Sequence, residues 1–82
     1  MQIVLAKDAQ KQYKHLPVSE QVKVKKKLLA LKQNPDLGKK LEGELMSIRS
    51  LRALPYRILY IIKAEERIIE IHKIVHRQGA YK

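Results

Sequence analysis

Four side chains late in the sequence, Arg57, His76, Arg77 and Tyr81, are the types that could surround a scissile RNA phosphate. Arginine presents a planar fork that grips phosphate through two hydrogen bonds, which lysine cannot do. Histidine ionises near neutrality and can carry a proton. Cutting a phosphodiester without a metal needs side-chain cations on the phosphate and proton-transfer groups beside it. Arg57 opens one apolar run, and Arg77 follows another. Arg49, Arg52, Lys39 and Lys40 lie within reach in sequence and are further candidates for holding RNA.

The charge balance points the same way. The 82 residues carry 18 Lys plus Arg against 8 Asp plus Glu, a formal net charge of +10. Such an excess in a small domain favours a phosphate backbone or an acidic protein partner. For Lys23, Lys25, Lys26 and Lys27 the plainer reading is a solvated helix face. There is no cysteine, which excludes disulfides and thiolate metal sites and fits a reducing, cytoplasmic setting. The three histidines make no convincing zinc set: His72 and His76 would lie ~13 Å apart on a strand. No apolar run approaches a bilayer span, and no signal-peptide pattern stands at the N-terminus. A soluble single domain over residues 1–82, with neither metal nor cofactor, is expected.

The elements that must position these groups are readable from periodicity. Residues 2–6 alternate as a short strand. Residues 7–16 form a helix with Ala9, Tyr13 and Leu16 in one stripe, stopped by Pro17. Ser19 is the expected N-cap of a second helix, which Pro35 ends. Its apolar residues, Val22, Val24, Leu28, Leu29 and Leu31, span about half the circumference at 100° per residue. Residues 36–43 read as a connector. Residues 44–51 read as a strand, Leu54-Pro55 as a turn, and residues 56–63 as a strong strand. Residues 64–67 read as a hairpin turn, and residues 68–75 as a central strand because β-branched residues dominate. On that last strand Glu70, His72 and His76 are expected on one face. The order β-α-α-β-β-β specifies an α+β fold, a twisted antiparallel sheet with a helical hairpin on one face.

With that order, the chain resembles the RelE/ParE toxin superfamily, and within it the RelE-type mRNA interferases of type II toxin–antitoxin systems. Four features carry the resemblance across essentially the whole chain. They are a lysine-rich helical hairpin ending in Asn34-Pro35, Lys40-Leu41-Glu42-Gly43, Tyr56-Arg57-Ile58-Leu59-Tyr60, and the terminal His76-Arg77-Gln78-Gly79-Ala80-Tyr81. The resemblance implies a metal-independent endoribonuclease that cleaves mRNA on the ribosome through the ribose 2′-OH and so inhibits translation. It implies a cognate acidic antitoxin and a toxin–antitoxin hetero-oligomer. Arg57 would contact the scissile phosphate, and Arg77 would stabilise the transition state or protonate the leaving group's side. Tyr81 would stack on or orient the nucleotide. The proton acceptor would be His76 or a lysine among cationic neighbours. Ile48 and Ser50 stand where many RelE-type toxins carry lysines, and Arg49 and Arg52 are the nearby replacements. A ParE-like inhibitor of DNA gyrase and a non-catalytic basic RNA-binding module are the competing readings.

Overall fold

The computed structural model describes residues 1–41 and 47–76. The chain runs β1 (Gln2–Leu5), α1 (Lys7–His15), α2 (Val18–Gln33), a 3-10 turn (Pro35–Leu37), β2 (Lys39–Lys40), β3 (Arg49–Ala53), β4 (Tyr56–Lys63) and β5 (Ile68–His76). The five strands form one sheet in the order β1-β5-β4-β3-β2, so β5 is central as its composition implies. Two helices packed on one sheet make the α+β class expected. The sheet is mixed rather than antiparallel, because β1 pairs parallel to β5. Each short connection reverses the chain, and an even number of reversals separates β1 from β5. Among the described residues no helix is long and apolar enough to cross a membrane.

Pairing register assigns the faces. Ile58, Tyr60, Ile69, Ile71 and Ile74 are buried together with Ala9, Val24, Leu28 and Leu31 from the helices. Burying each large side chain is worth roughly 1.5–3 kcal/mol. The other face of β4 carries Arg57, Leu59, Ile61 and Lys63, by alternation. A register shift between Leu59 and Tyr60 leaves His72 as an extra residue in β5: Leu59 faces Lys73, but Tyr60 faces Ile71. One extra residue inverts the alternation of everything after it. His76 therefore lies opposite Tyr56, on the face of Ile58 and Ile74, and not on the face of Glu70 as expected.

Three further sequence expectations are corrected. The helix α2 begins at Val18 with Pro17 as its N-cap, and no side chain caps it, so Ser19 lies within the first turn. Pro17 suits that role because its carbonyl receives the amides of Glu20 and Gln21, both at 2.9 Å. The connector holds a 3-10 turn and the two-residue strand β2; paired lysines disfavour a strand by propensity but suit a short sheet edge. The strand read at residues 44–51 is found at Arg49–Ala53, after a turn at Ser47. Residues 44–46 of that reading lie outside the described residues.

Tyr60 ties the sheet to the end of α2. Its hydroxyl donates to the Pro35 carbonyl at 2.7 Å and accepts from the Gly38 amide at 2.8 Å. Burial pushes the Tyr60 phenol above its ordinary value of 10.0. Folded Tyr60 thus holds its proton more tightly than unfolded Tyr60. The stability this gives is intact below pH 10.0 and is lost as pH rises through the folded value. Thermal midpoints measured upward from pH 9 should fall more steeply in the wild type than in Tyr60→Phe.

Candidate anion-binding cleft

The hairpin of β3 and β4 brings two of the predicted arginines together. A two-residue turn at Leu54-Pro55 puts Ala53 opposite Tyr56 and Arg52 opposite Arg57. Cross-strand partners share a face with Cβ atoms ≈ 4.5–5.5 Å apart. That face points away from the helices, since the neighbours Leu51 and Ile58 supply the core side. The turn is pinned from α2, where Lys23 Nζ donates to the Leu54 carbonyl at 3.0 Å. Lys23 also pairs with Glu20 at 3.2 Å.

Beside the arginines is a cleft of about 510 Å³, walled by Lys39, Lys40, Arg52 and Arg57. Leu37, Leu41, Ser50 and Leu51 complete its lining. β2 brings Lys39 opposite Ser50. Ser50 is buried, and its Oγ has no hydrogen-bond partner among the described residues. The sequence marks Ser50 only as a position where RelE-type toxins carry a lysine, and its two-residue offset from Arg52 puts it on the same face. The cleft can therefore grip an anion through guanidinium forks and flanking ammonium groups, with a hydroxyl available beneath.

The other candidates are placed differently. Arg49 faces Tyr60 on the helix side. Its Nη1 donates to the Gly38 carbonyl at 2.9 Å, and its Nη2 pairs with Asp36 at 3.2 Å. It is a strut for the turn that carries β2, not a member of the cleft. Arg49→Ala should cost about 1–2 kcal/mol of stability in denaturant melts. Its activity per folded molecule should change only a few-fold, in contrast to Arg52→Ala. His76 meets Tyr56 edge-on, ring centroids 5.4 Å apart and planes at 85°. Its register takes it off the face of Arg57. Glu70 pairs with Lys63 at 3.4 Å, and on the opposite strand its partner Ile61 is four residues from Arg57. Arg77 and Tyr81 lie outside the described residues. Among those residues no cluster of three His, Asp or Glu side chains could hold a metal.

Comparison with known proteins identifies the family. A family model described as the ParE toxin of the type II toxin–antitoxin system parDE matches residues 3–81. The chain belongs to the RelE/ParE superfamily of type II toxins. A candidate toxin of Methanocaldococcus jannaschii, RelE1, is 34% identical over 76 residues, covering 88% of this toxin and 84% of that protein. The RelBE2 toxin–antitoxin complex of Mycobacterium tuberculosis contains a chain matched at a TM-score of 0.85 and 28% identity. That match covers 93% of the toxin and 96% of the matched chain. The isolated RelE toxin of E. coli matches at 0.82 and 20% identity, over 98% of this toxin and 87% of its own chain, which is a likeness of fold. The curated relative thus carries a RelE name while the family model carries a ParE one. The toxin is assigned to the RelE family within the superfamily.

Proposed function

We propose that the toxin is an endoribonuclease that cuts mRNA on the ribosome through the ribose 2′-OH, and that an acidic antitoxin holds it inactive. The observation that carries the reading is the Arg52–Arg57 pair on the outward face of the sheet, in a cleft with Lys39 and Lys40. In the reaction the 2′-oxygen forms a bond to phosphorus and the bond from phosphorus to the 5′-oxygen breaks. A proton leaves the 2′-OH and another reaches the departing 5′-oxygen. Charge builds on the non-bridging phosphate oxygens between these events. Preorganised guanidinium groups stabilise that charge most where it is greatest, in the transition state. Arg57 takes the phosphate, with Arg52 beside it. Arg77 and Tyr81 are assigned from the terminal motif to leaving-group protonation and nucleotide stacking. With His76 off this face, the lysines of the cleft become the first candidates to test as proton acceptor. No metal is required in this scheme, because side-chain cations supply the electrostatic stabilisation.

The ParE description of the matching family model favours one alternative, inhibition of DNA gyrase. Purified toxin added in parallel to a translation reaction and a gyrase supercoiling reaction separates the two. Truncated mRNA with normal supercoiling is the expected result. Intact mRNA with blocked supercoiling would transfer the assignment to gyrase.

A further inference from the structure

The bulge in β5 turns one backbone amide toward a side of the strand where no strand lies. Before the bulge, odd-numbered residues of β5 face β1: the Arg67 carbonyl accepts from the Gln2 amide at 3.0 Å, and the Ile71 carbonyl from the Ala6 amide at 2.9 Å. The extra residue His72 inverts that direction as it inverts the faces. Even-numbered Ile74 then aims its amide at the β1 side. There β1 pairs no further than Leu5 with Ile71, and the chain has already entered α1. Gln12 of α1 fills the gap: its side-chain Oε1 accepts from the Ile74 amide at 2.7 Å. Ile74 is buried, and a buried amide without a partner is costly. A straight ladder would turn the Ile74 amide toward β4 and forfeit this bond, so Gln12 favours the bulged register.

That register decides how the chain passes the arginine cleft. With the bulge, Val75 faces Arg57 and His76 faces Tyr56. A straight ladder continued from the Tyr60–Ile71 pair would set Ile74 against Arg57 and Val75 against Tyr56. Residues 73–76 would move ~3.4 Å along the strand and change face. The point at which the chain leaves the sheet would move with them.

We propose that Gln12 is a positioning residue for RNA cleavage: by holding the bulge of β5 it fixes the register from which the chain continues to Arg77 and Tyr81. This rests on the reading of the toxin as a nuclease and on the roles given there to those two residues. Gln12 is not among the side chains that line the cleft. Its effect passes through the Ile74 amide to the strand, and through the strand to the reacting groups. A misplacement of about 1 Å caused far from the chemistry can cost roughly 10²-fold in rate, and a register slip is larger than that.

The test uses the full-length toxin in a translation reaction, with cleavage measured per folded molecule. Gln12→Met keeps the length of the side chain and removes the carbonyl. It should lower kcat by about 10- to 100-fold and leave KM little changed, because the cleft itself is intact. Gln12→Glu retains an acceptor and should cleave nearly as wild type does. Ile69→Val, a destabilised control on the same strand ahead of the bulge, should keep the wild-type kcat. By NMR, the Ile74 amide should exchange faster in Gln12→Met only, and cross-strand contacts should shift from Arg57–Val75 toward Arg57–Ile74. Deleting His72 leaves Leu59 opposite Lys73 and Arg57 opposite Val75 with no bulge to hold. In that background Gln12→Met should therefore cost little, and the pair of comparisons forms a double-mutant cycle. An equal loss in both backgrounds would show that Gln12 acts by another route and would overturn the proposal. So would a Gln12→Met protein whose kcat matches that of Ile69→Val, or one whose Ile74 exchange is unchanged. Absence of mRNA cleavage by wild type would refute the nuclease reading and the positioning role with it, even where exchange shows that Gln12 holds the register.

Discussion

Arg57→Ala should lower mRNA cleavage about 10²–10³-fold, the range seen when one preorganised transition-state donor is lost. The protein should remain folded. Arg57 stands on the outward face of β4 opposite Arg52, so its removal leaves the apolar side of the hairpin untouched. Arg57→Lys separates charge from geometry. A lysine restores a cation but not the two-pronged contact, and recovery should be partial. Translation reactions dosed with equal amounts of each folded variant would measure both effects. Equal cleavage by Arg57→Ala and wild type would remove Arg57 from the active site.

Tyr60→Phe should produce the largest loss of stability among the substitutions considered, about 2–4 kcal/mol. The change deletes one oxygen and strands two backbone groups, the Pro35 carbonyl and the Gly38 amide. An unsatisfied buried polar group costs about 1–3 kcal/mol. Gly38→Ala attacks the same joint from the other side. A Cβ at Gly38 would come within 2.7 Å of the Tyr60 ring and hydroxyl and 3.0 Å of the Ser50 carbonyl. The ring is locked in the core, so the chain carrying β2 must give way, at about 1–3 kcal/mol. Because β2 bears Lys39 and Lys40, activity should fall in Gly38→Ala by more than the loss of folded protein explains. Urea melts of the two variants with cleavage measured per folded molecule would check this. A Gly38→Ala protein as stable as wild type would show that the packing at this joint is looser than its geometry indicates.

Much of the cleft was legible in the sequence, for an identifiable reason. A two-residue turn between two strands sets the register of the residues around it, so Arg52 and Arg57 had to face one another. Strand alternation likewise separates Arg49 from Arg52 by an odd number of residues. That alternation already excluded a shared face, and the interest of arginine as a phosphate ligand obscured it. His76 was misplaced because a β-bulge leaves no mark in a run such as Ile71-His72-Lys73-Ile74. The bulge is seen only in how Leu59 and Tyr60 pair across the sheet. The strand β2 was missed because lysines report edge position and solvation rather than strand propensity. On α2, Val22 and Leu29 are exposed, and they were merged with its core side because periodicity records where apolar residues point and not what covers them. The family resemblance, by contrast, rested on motifs spread along the chain, and the match over residues 3–81 bears it out.

The central claim, cleavage of RNA by its own 2′-OH at the Arg52–Arg57 cleft, is tested most directly by the chemistry of the cut ends. Purified toxin is added to a defined translation reaction, and the mRNA fragments are isolated and their termini analysed. Attack by the 2′-oxygen predicts a 2′,3′-cyclic phosphate, or the phosphate formed by its opening, on the upstream fragment and a 5′-hydroxyl on the downstream one. These ends should appear with wild type and fall about 10²–10³-fold with Arg57→Ala. A 3′-hydroxyl paired with a 5′-phosphate would show that water, not the ribose, attacked the phosphorus, and would contradict the account.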